Sequence, residues 1–153
     1  MTTIAMKRVA LVLLLASAVA AEAQTIPADA RRTGTCTSGV FSLTGGTASL
    51  HVTLDDYSSK QAVLVVMRFI NPQGLVVKSK TVTLGPGGSA TLDYRGSGLV
   101  RARAEALESS STPSSEETNL LSSLEVSYDA TPSDGSEYKR FIGPPIWCLA
   151  LKL

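Results

Sequence analysis

The chain has 153 residues, a formal net charge of +1 and a single histidine, His51, with one Trp, four Tyr and three Phe. That length suits one domain around one core. The near-neutral balance excludes a strongly basic nucleic-acid binder, and a lone histidine argues against histidine-centred catalysis.

In chain order, Lys7 and Arg8 precede an uncharged run from Val9 to Ala21, which ends in the small-residue pattern Ala21-Glu22-Ala23. A charged start, a short apolar run and an Ala-x-Ala site are the parts of a secretory signal peptide, so residues 1–23 are expected to be removed before Gln24. The run of 13 residues falls short of the roughly 20 that a membrane-crossing helix needs, and no membrane span is expected after cleavage. Met6, directly before Lys7, also fits as the first residue in place of Met1. Without residues 1–23, 12 basic side chains face 12 acidic ones. A neutral mature chain has no long-range field to draw it to membranes or polyanions.

Cys36 and Cys148 are the two cysteines, and export places them where disulfides persist. A bridge between them is expected. It would staple the first strand to the last and close a 113-residue loop, worth about 4 to 5 kcal/mol in the chain-entropy model. A catalytic thiol or metal ligand fits less well, because no C-x-x-C and no nearby histidine accompany either cysteine. Residues 24–38 read as an N-terminal extension with the first cysteine, and residues 39–153 as the domain.

From Val40 onward the pattern has period two with frequent turn residues, which points to an antiparallel sandwich or barrel. Leu50, Val52 and Leu54 share one face of a strand, and Ser49, His51 and Thr53 share the solvent face. Ala62 to Ile70 is apolar on both faces apart from Arg68, as expected of a central strand, and Asn71-Pro72-Gln73-Gly74 is a turn. Leu75 to Leu84, Ser89 to Tyr94 and Leu99 to Leu107 read as three strands, separated by Gly85-Pro86-Gly87-Gly88 and Arg95-Gly96-Ser97-Gly98. As a meander they would align Thr81, Asp93 and Arg101 in one outward row. Lys78 and Lys80 fall on the inward parity, which requires a bulge or snorkelling. Residues 108–119, rich in Ser, Thr and Glu around Pro113, form a flexible loop in this reading. Leu120 to Asp129 points Leu124, Val126 and Tyr128 inward, and Glu137 to Ile142 and Ile146 to Leu151 flank Gly143-Pro144-Pro145. The expected fold is all-β: a single antiparallel β-sandwich, immunoglobulin-like, of about eight strands.

The common nucleophile, phosphate and zinc motifs are absent from the sequence, so no catalytic residue and no cofactor are assigned. Gly85-Pro86-Gly87-Gly88 matches a phosphate cradle only in glycine content, and a hairpin turn explains it better. Asp55, Asp56 and Glu125 offer carboxylates for a glycosidase pair, but nothing fixes their separation. Asp129, Asp134 and Glu137, with Thr131 and Ser133, gather oxygen ligands of the kind calcium takes. Gly135 sits one position late for an EF-hand loop, and a plain turn accounts for the same residues, so no metal is assigned.

A Gly-rich turn before Ser89-Ala90-Thr91-Leu92-Asp93-Tyr94, then Leu99-Val100-Arg101-Ala102-Arg103-Ala104-Glu105, then Ser123-Leu124-Glu125-Val126 and Asp129-Ala130-Thr131 follow in order. Over Gly39 to Thr131 this order resembles a group of small exported bacterial β-sandwich proteins of unknown function. The group's last motif continues as Thr-Gly where this chain has Thr131-Pro132. The resemblance implies an exported bacterial sandwich and carries over no active site.

Three functions are compatible with these features. The first is a non-enzymatic exported β-sandwich, periplasmic or extracellular, that serves as a binding or structural module for a protein or glycan partner, with no nucleic acid involved. The second is a subunit that self-assembles by β-strand augmentation through Ile146 to Leu153 or another exposed edge. The third is a small secreted hydrolase with His51 turned into a cleft.

Overall fold

The structure is a computed structural model that describes residues 25–55, 61–109, 119–130 and 138–150. Among the described residues there is no helix, and the strands are β1 (Ala30–Ser38), β2 (Phe41–Leu54), β3 (Val63–Ile70), β4 (Val76–Leu84), β5 (Ser89–Ser109), β6 (Leu120–Ala130), β7 (Tyr138–Ile142) and β8 (Ile146–Ala150). Every strand pairing is antiparallel. Hydrogen bonding runs in the order β4-β3-β5-β2-β6-β7, with β1 joining β5 to β8.

Side-chain alternation decides which face each strand buries. In β2, Ala48, Leu50, Val52 and Leu54 are buried, while Ser49, His51 and Thr53 are only half covered. β3 lies between β4 and β5 and is buried along most of its length, Val66 on the outward parity included. In β6, Leu124 and Val126 are buried, and Tyr128 packs against the core. One continuous core results, with Leu50, Val52, Met67, Phe69, Ala104 and Leu124 among its members.

The long strand β5 organises the topology. Up to Val100 it pairs with β2; from Arg101 onward it pairs with β3, and from Arg103 onward with β1 on its other edge. It therefore belongs to two sets of ladders, β5-β2-β6-β7 and β4-β3-β5-β1-β8. Glycine makes the passage between them possible. Gly98 has φ +106, a conformation that side chains with a Cβ rarely adopt. A Cβ on Gly96 would stand 2.5 Å from the Tyr94 hydroxyl, and Tyr94 in turn stacks on Phe69 with ring centroids 5.4 Å apart.

This corrects the sequence reading of Arg95-Gly96-Ser97-Gly98 as a turn. The glycines bend the strand without reversing it, so Ser89 to Ser109 is one strand and the meander does not form. Asp93 pairs with Ser49, and Arg101 pairs with Ile70. Glu108 and Ser109, expected in a loop, end β5; residues 110–118 of that loop lie outside the described residues. The segment 24–38, read as an extension, contains β1, which is paired on both edges. The proposed signal peptide, residues 1–23, also lies outside the described residues.

Lys78 and Lys80 stay on the inward parity, opposite Phe69 and Met67, and reach solvent by snorkelling. The β3–β4 register shifts between Phe69 and Ile70, and Lys80 Nζ donates to the Thr91 carbonyl at 2.9 Å. Cys36 and Cys148 form a disulfide between directly opposite residues of β1 and β8, with Cα atoms 4.0 Å apart. No helix among the described residues is long and apolar enough to cross a membrane.

Candidate functional site

Two outward faces follow from the alternation, one on each set of ladders. Across β5, β2 and β6 the outward rows read Asp93-Ser49-Glu125 and Thr91-His51-Ser123. His51 Nδ1 lies 2.9 Å from Thr91 Oγ1. This face is made of hydroxyls with a few scattered charges, and His51 sits in the middle of an open sheet.

The outward face of β4-β3-β5-β1-β8 differs. One row across the five strands reads Trp147, Thr37, Arg103, Arg68 and Ser79; the next reads Leu149, Thr35, Glu105, Val66 and Thr81. Glu105 points outward yet is only 4% exposed, because three guanidinium groups cover it. Arg68 Nη1 donates to Glu105 Oε2. Oε1 lies 2.6 Å from Arg32 Nε and 2.9 Å from Arg103 Nη2, but neither N–H is aimed well enough to make a hydrogen bond. The carboxylate is thus held by a hydrogen bond at Oε2 and by two ion pairs at Oε1.

A β-bulge brings Arg32 into this group. Strict alternation back from Cys36 would turn residue 32 inward. The β1–β5 register shifts between Arg32 and Gly34, which leaves Thr33 unpaired and sets Arg32 opposite outward-facing Leu107. Bulges re-aim side chains in this way. The shifted residue, Thr33, is buried with no partner for its hydroxyl among the described residues, and nothing in the structure explains that.

At the end of the sheet the Trp147 ring lies over Gly39, with Cζ3 3.9 Å from where a Cβ would stand. Next to it a shallow recess of about 120 Å³ is lined by Val40, Ile70, Asn71, Pro72, Val100 and Arg101. It is smaller than the 300 Å³ or so of an ordinary small-molecule pocket. Trp147 is 58% exposed and Leu149 66%, and Arg101 is exposed as well.

Of the residues singled out from sequence, Cys36 and Cys148 come together, and their bridge fixes β8, with Trp147, beside β1. Asp129 lies in β6 opposite Lys139; Asp134 and Glu137 lie outside the described residues, as does Asp56. Among the described residues no group of three or more His, Cys, Asp and Glu side chains is placed to hold a metal ion. The amides of the Gly85-to-Gly88 turn are used by backbone: Gly88 N donates to Gly85 O at 2.8 Å and Gly87 N to Leu54 O at 2.9 Å. Sequence reasoning missed the Arg32-Arg68-Arg103-Glu105 group. The signal was in the sequence, since Arg101-Ala102-Arg103-Ala104-Glu105 alternates small and charged residues, but the partners of that strand were assigned wrongly.

No protein-family model matches this chain, and no curated protein or solved structure is detectably similar to it.

Proposed function

We propose that the chain is an exported, non-enzymatic β-sandwich of immunoglobulin-like class that acts as a binding module in the periplasm or outside the cell. The observation that carries this reading is the outward face of β4-β3-β5-β1-β8, where a buried carboxylate fixes three arginines beside an exposed tryptophan. Preorganised side chains on rigid strands are what recognition uses. The disulfide is compatible with export. The non-enzymatic part is supported by the engagement of the lone histidine with Thr91 on an open face.

Glycan and peptide arrays probed with wild type and with Arg103→Ser test the reading. Expected are ligands retained by wild type and lost by the variant, with Trp147 fluorescence showing that the variant is folded. A wild-type protein with no variant-sensitive ligand sinks it.

A second reading, self-assembly by strand addition, is supported by β4 and β8, each paired along one edge only among the described residues. Concentration-dependent oligomers in light scattering would favour it.

A further inference from the structure

We propose that this face takes an acidic polysaccharide, with polymer carboxylates on Arg101 and Arg103 and a sugar ring flat on Trp147. The proposal rests on the binding-module reading and names its ligand class. Charge comes first. The outward positions of these strands hold Arg32, Arg68, Arg101 and Arg103 against Glu105 alone, a formal surplus of three positive charges in a chain whose total is +1. The mature chain is neutral only as a sum, and this face is where its positive charge gathers. Guanidinium groups pair with carboxylates through two parallel N–H donors; Arg101 stands outside the ion pairs of Glu105, and Arg103 meets Glu105 through Nη2, one part of a five-donor group.

Shape selects among anions. Two recesses of about 120 and 370 Å³ lie beside the β3–β4 turn, and of the arginines only Arg101 lines one of them, so an extended polymer lying across the strands reaches the arginine rows better than a compact ligand held in a recess. Strand spacing puts Trp147 about 10 Å from Arg103 along its row, two strands away. An indole with one open apolar face stacks against the C–H side of a sugar ring while keeping its polar edge wet. Thr35, Thr37, Ser79 and Thr81 interleave the arginines with hydroxyls that match sugar hydroxyls. A peptide that binds a sheet uses main-chain pairing at an edge, which a face does not offer. A second copy set face to face in a two-fold dimer would bring this positive surface against itself.

The test is affinity electrophoresis of the oxidised protein in gels containing polygalacturonate, alginate, fully methyl-esterified pectin or polyglutamate, with Trp147 fluorescence as a second readout, since it is the chain's one tryptophan. The two polyuronates are expected to retard the protein and shift its emission, and the neutral ester and polyglutamate to bind at least about ten-fold more weakly. Arg101→Ser should weaken polyuronate binding about ten-fold and Trp147→Ala about three- to ten-fold. Both residues are exposed and outside the ion pairs of Glu105, so the variants should fold. Equal binding of polyglutamate, unchanged by Trp147→Ala, would overturn the proposal in favour of an acidic peptide. So would dimers that Trp147→Ala dissolves, in favour of a second copy. If neither polyuronate binds while an array ligand still depends on Arg103, the glycan class is wrong and the binding module stands. If no ligand depends on Arg103 at all, both fail.

Discussion

The two outward faces come from the same alternation of side chains and end in different states. On β5-β2-β6 the outward residues are short and polar, and the ones that meet, such as His51 and Thr91, make single contacts between half-covered partners. On β4-β3-β5-β1-β8 long charged side chains stand among threonines and serines, and three arginines bury one carboxylate. A solvated polar face needs nothing of its neighbours. A buried carboxylate needs its arginines, because an ionised group taken out of water is tolerated only when paired. The first face is interchangeable surface, whereas the second is a coupled unit, and substitutions should show the difference.

Removing the disulfide should have the largest effect. Cys36→Ser with Cys148→Ser opens a loop of sequence separation 112, expected to cost about 2 to 5 kcal/mol in urea unfolding. The loss should also be uneven. β8 hangs from β1 by this bridge and one ladder, so hydrogen exchange should accelerate first in Ile146–Ala150, loosening Trp147 and the charged face with it. Uniform acceleration across β2 and β6 would mean that the bridge does not hold this face in particular.

Next comes the carboxylate itself. Glu105→Ala leaves Arg32, Arg68 and Arg103 facing one another, and should cost about 2 to 4 kcal/mol given that the arginines remain partly in water. Glu125→Ala, an exposed carboxylate on the other face, should stay within about 0.5 kcal/mol. Equal costs for the two would erase the distinction between the faces. High salt should narrow the gap, because screening weakens the repulsion among the uncovered guanidiniums.

The sequence showed strand interiors well and strand partners poorly. Leu50, Val52 and Leu54 announce a buried face because a period of two is a local property, readable without knowing what lies alongside. Which strand lies alongside is not local. Gly96 and Gly98 looked like a turn, since glycine serves a reversal and a bend equally, and only the surroundings (Tyr94 over Gly96, β2 on one edge) decide. The strand total matched by compensation: two expected strands fuse into β5, and β1 appears in the presumed extension. The charged group was hidden for the same reason. Its members sit on β1, β3 and β5, and a bulge at Thr33 turns one of them outward.

A smaller effect is expected where the two sets of ladders meet. Lys80 reaches from β4 to the Thr91 carbonyl on β5, an exposed contact, so Lys80→Met should cost only about 0.5 to 1 kcal/mol. Its larger consequence should be colloidal. Lysine on an edge strand discourages pairing with another chain, and the variant should associate at concentrations where wild type stays monomeric in light scattering. A variant that stays monomeric would show that the edge is protected by something other than this charge.

The smallest effect is reserved for His51, and it separates the faces most cleanly. The ring accounts for one contact, with Thr91 Oγ1, in the middle of a half-covered polar row. His51→Ala should therefore change stability by about 0.5 kcal/mol or less, because the Thr91 hydroxyl that it frees can turn to water. Binding by the arginine face should be unchanged, since independent sites that share no partner do not couple. Arg103→Ser should do the reverse, removing ligand binding and disturbing Glu105. Measured together by thermal melts and fluorescence titration, the two variants form a crossed comparison. If His51→Ala abolishes binding or any hydrolytic activity while Arg103→Ser keeps it, the polar face is the functional one. His51 would then have to act as a base on an open sheet, and the buried carboxylate with its three arginines would be a device of stability alone.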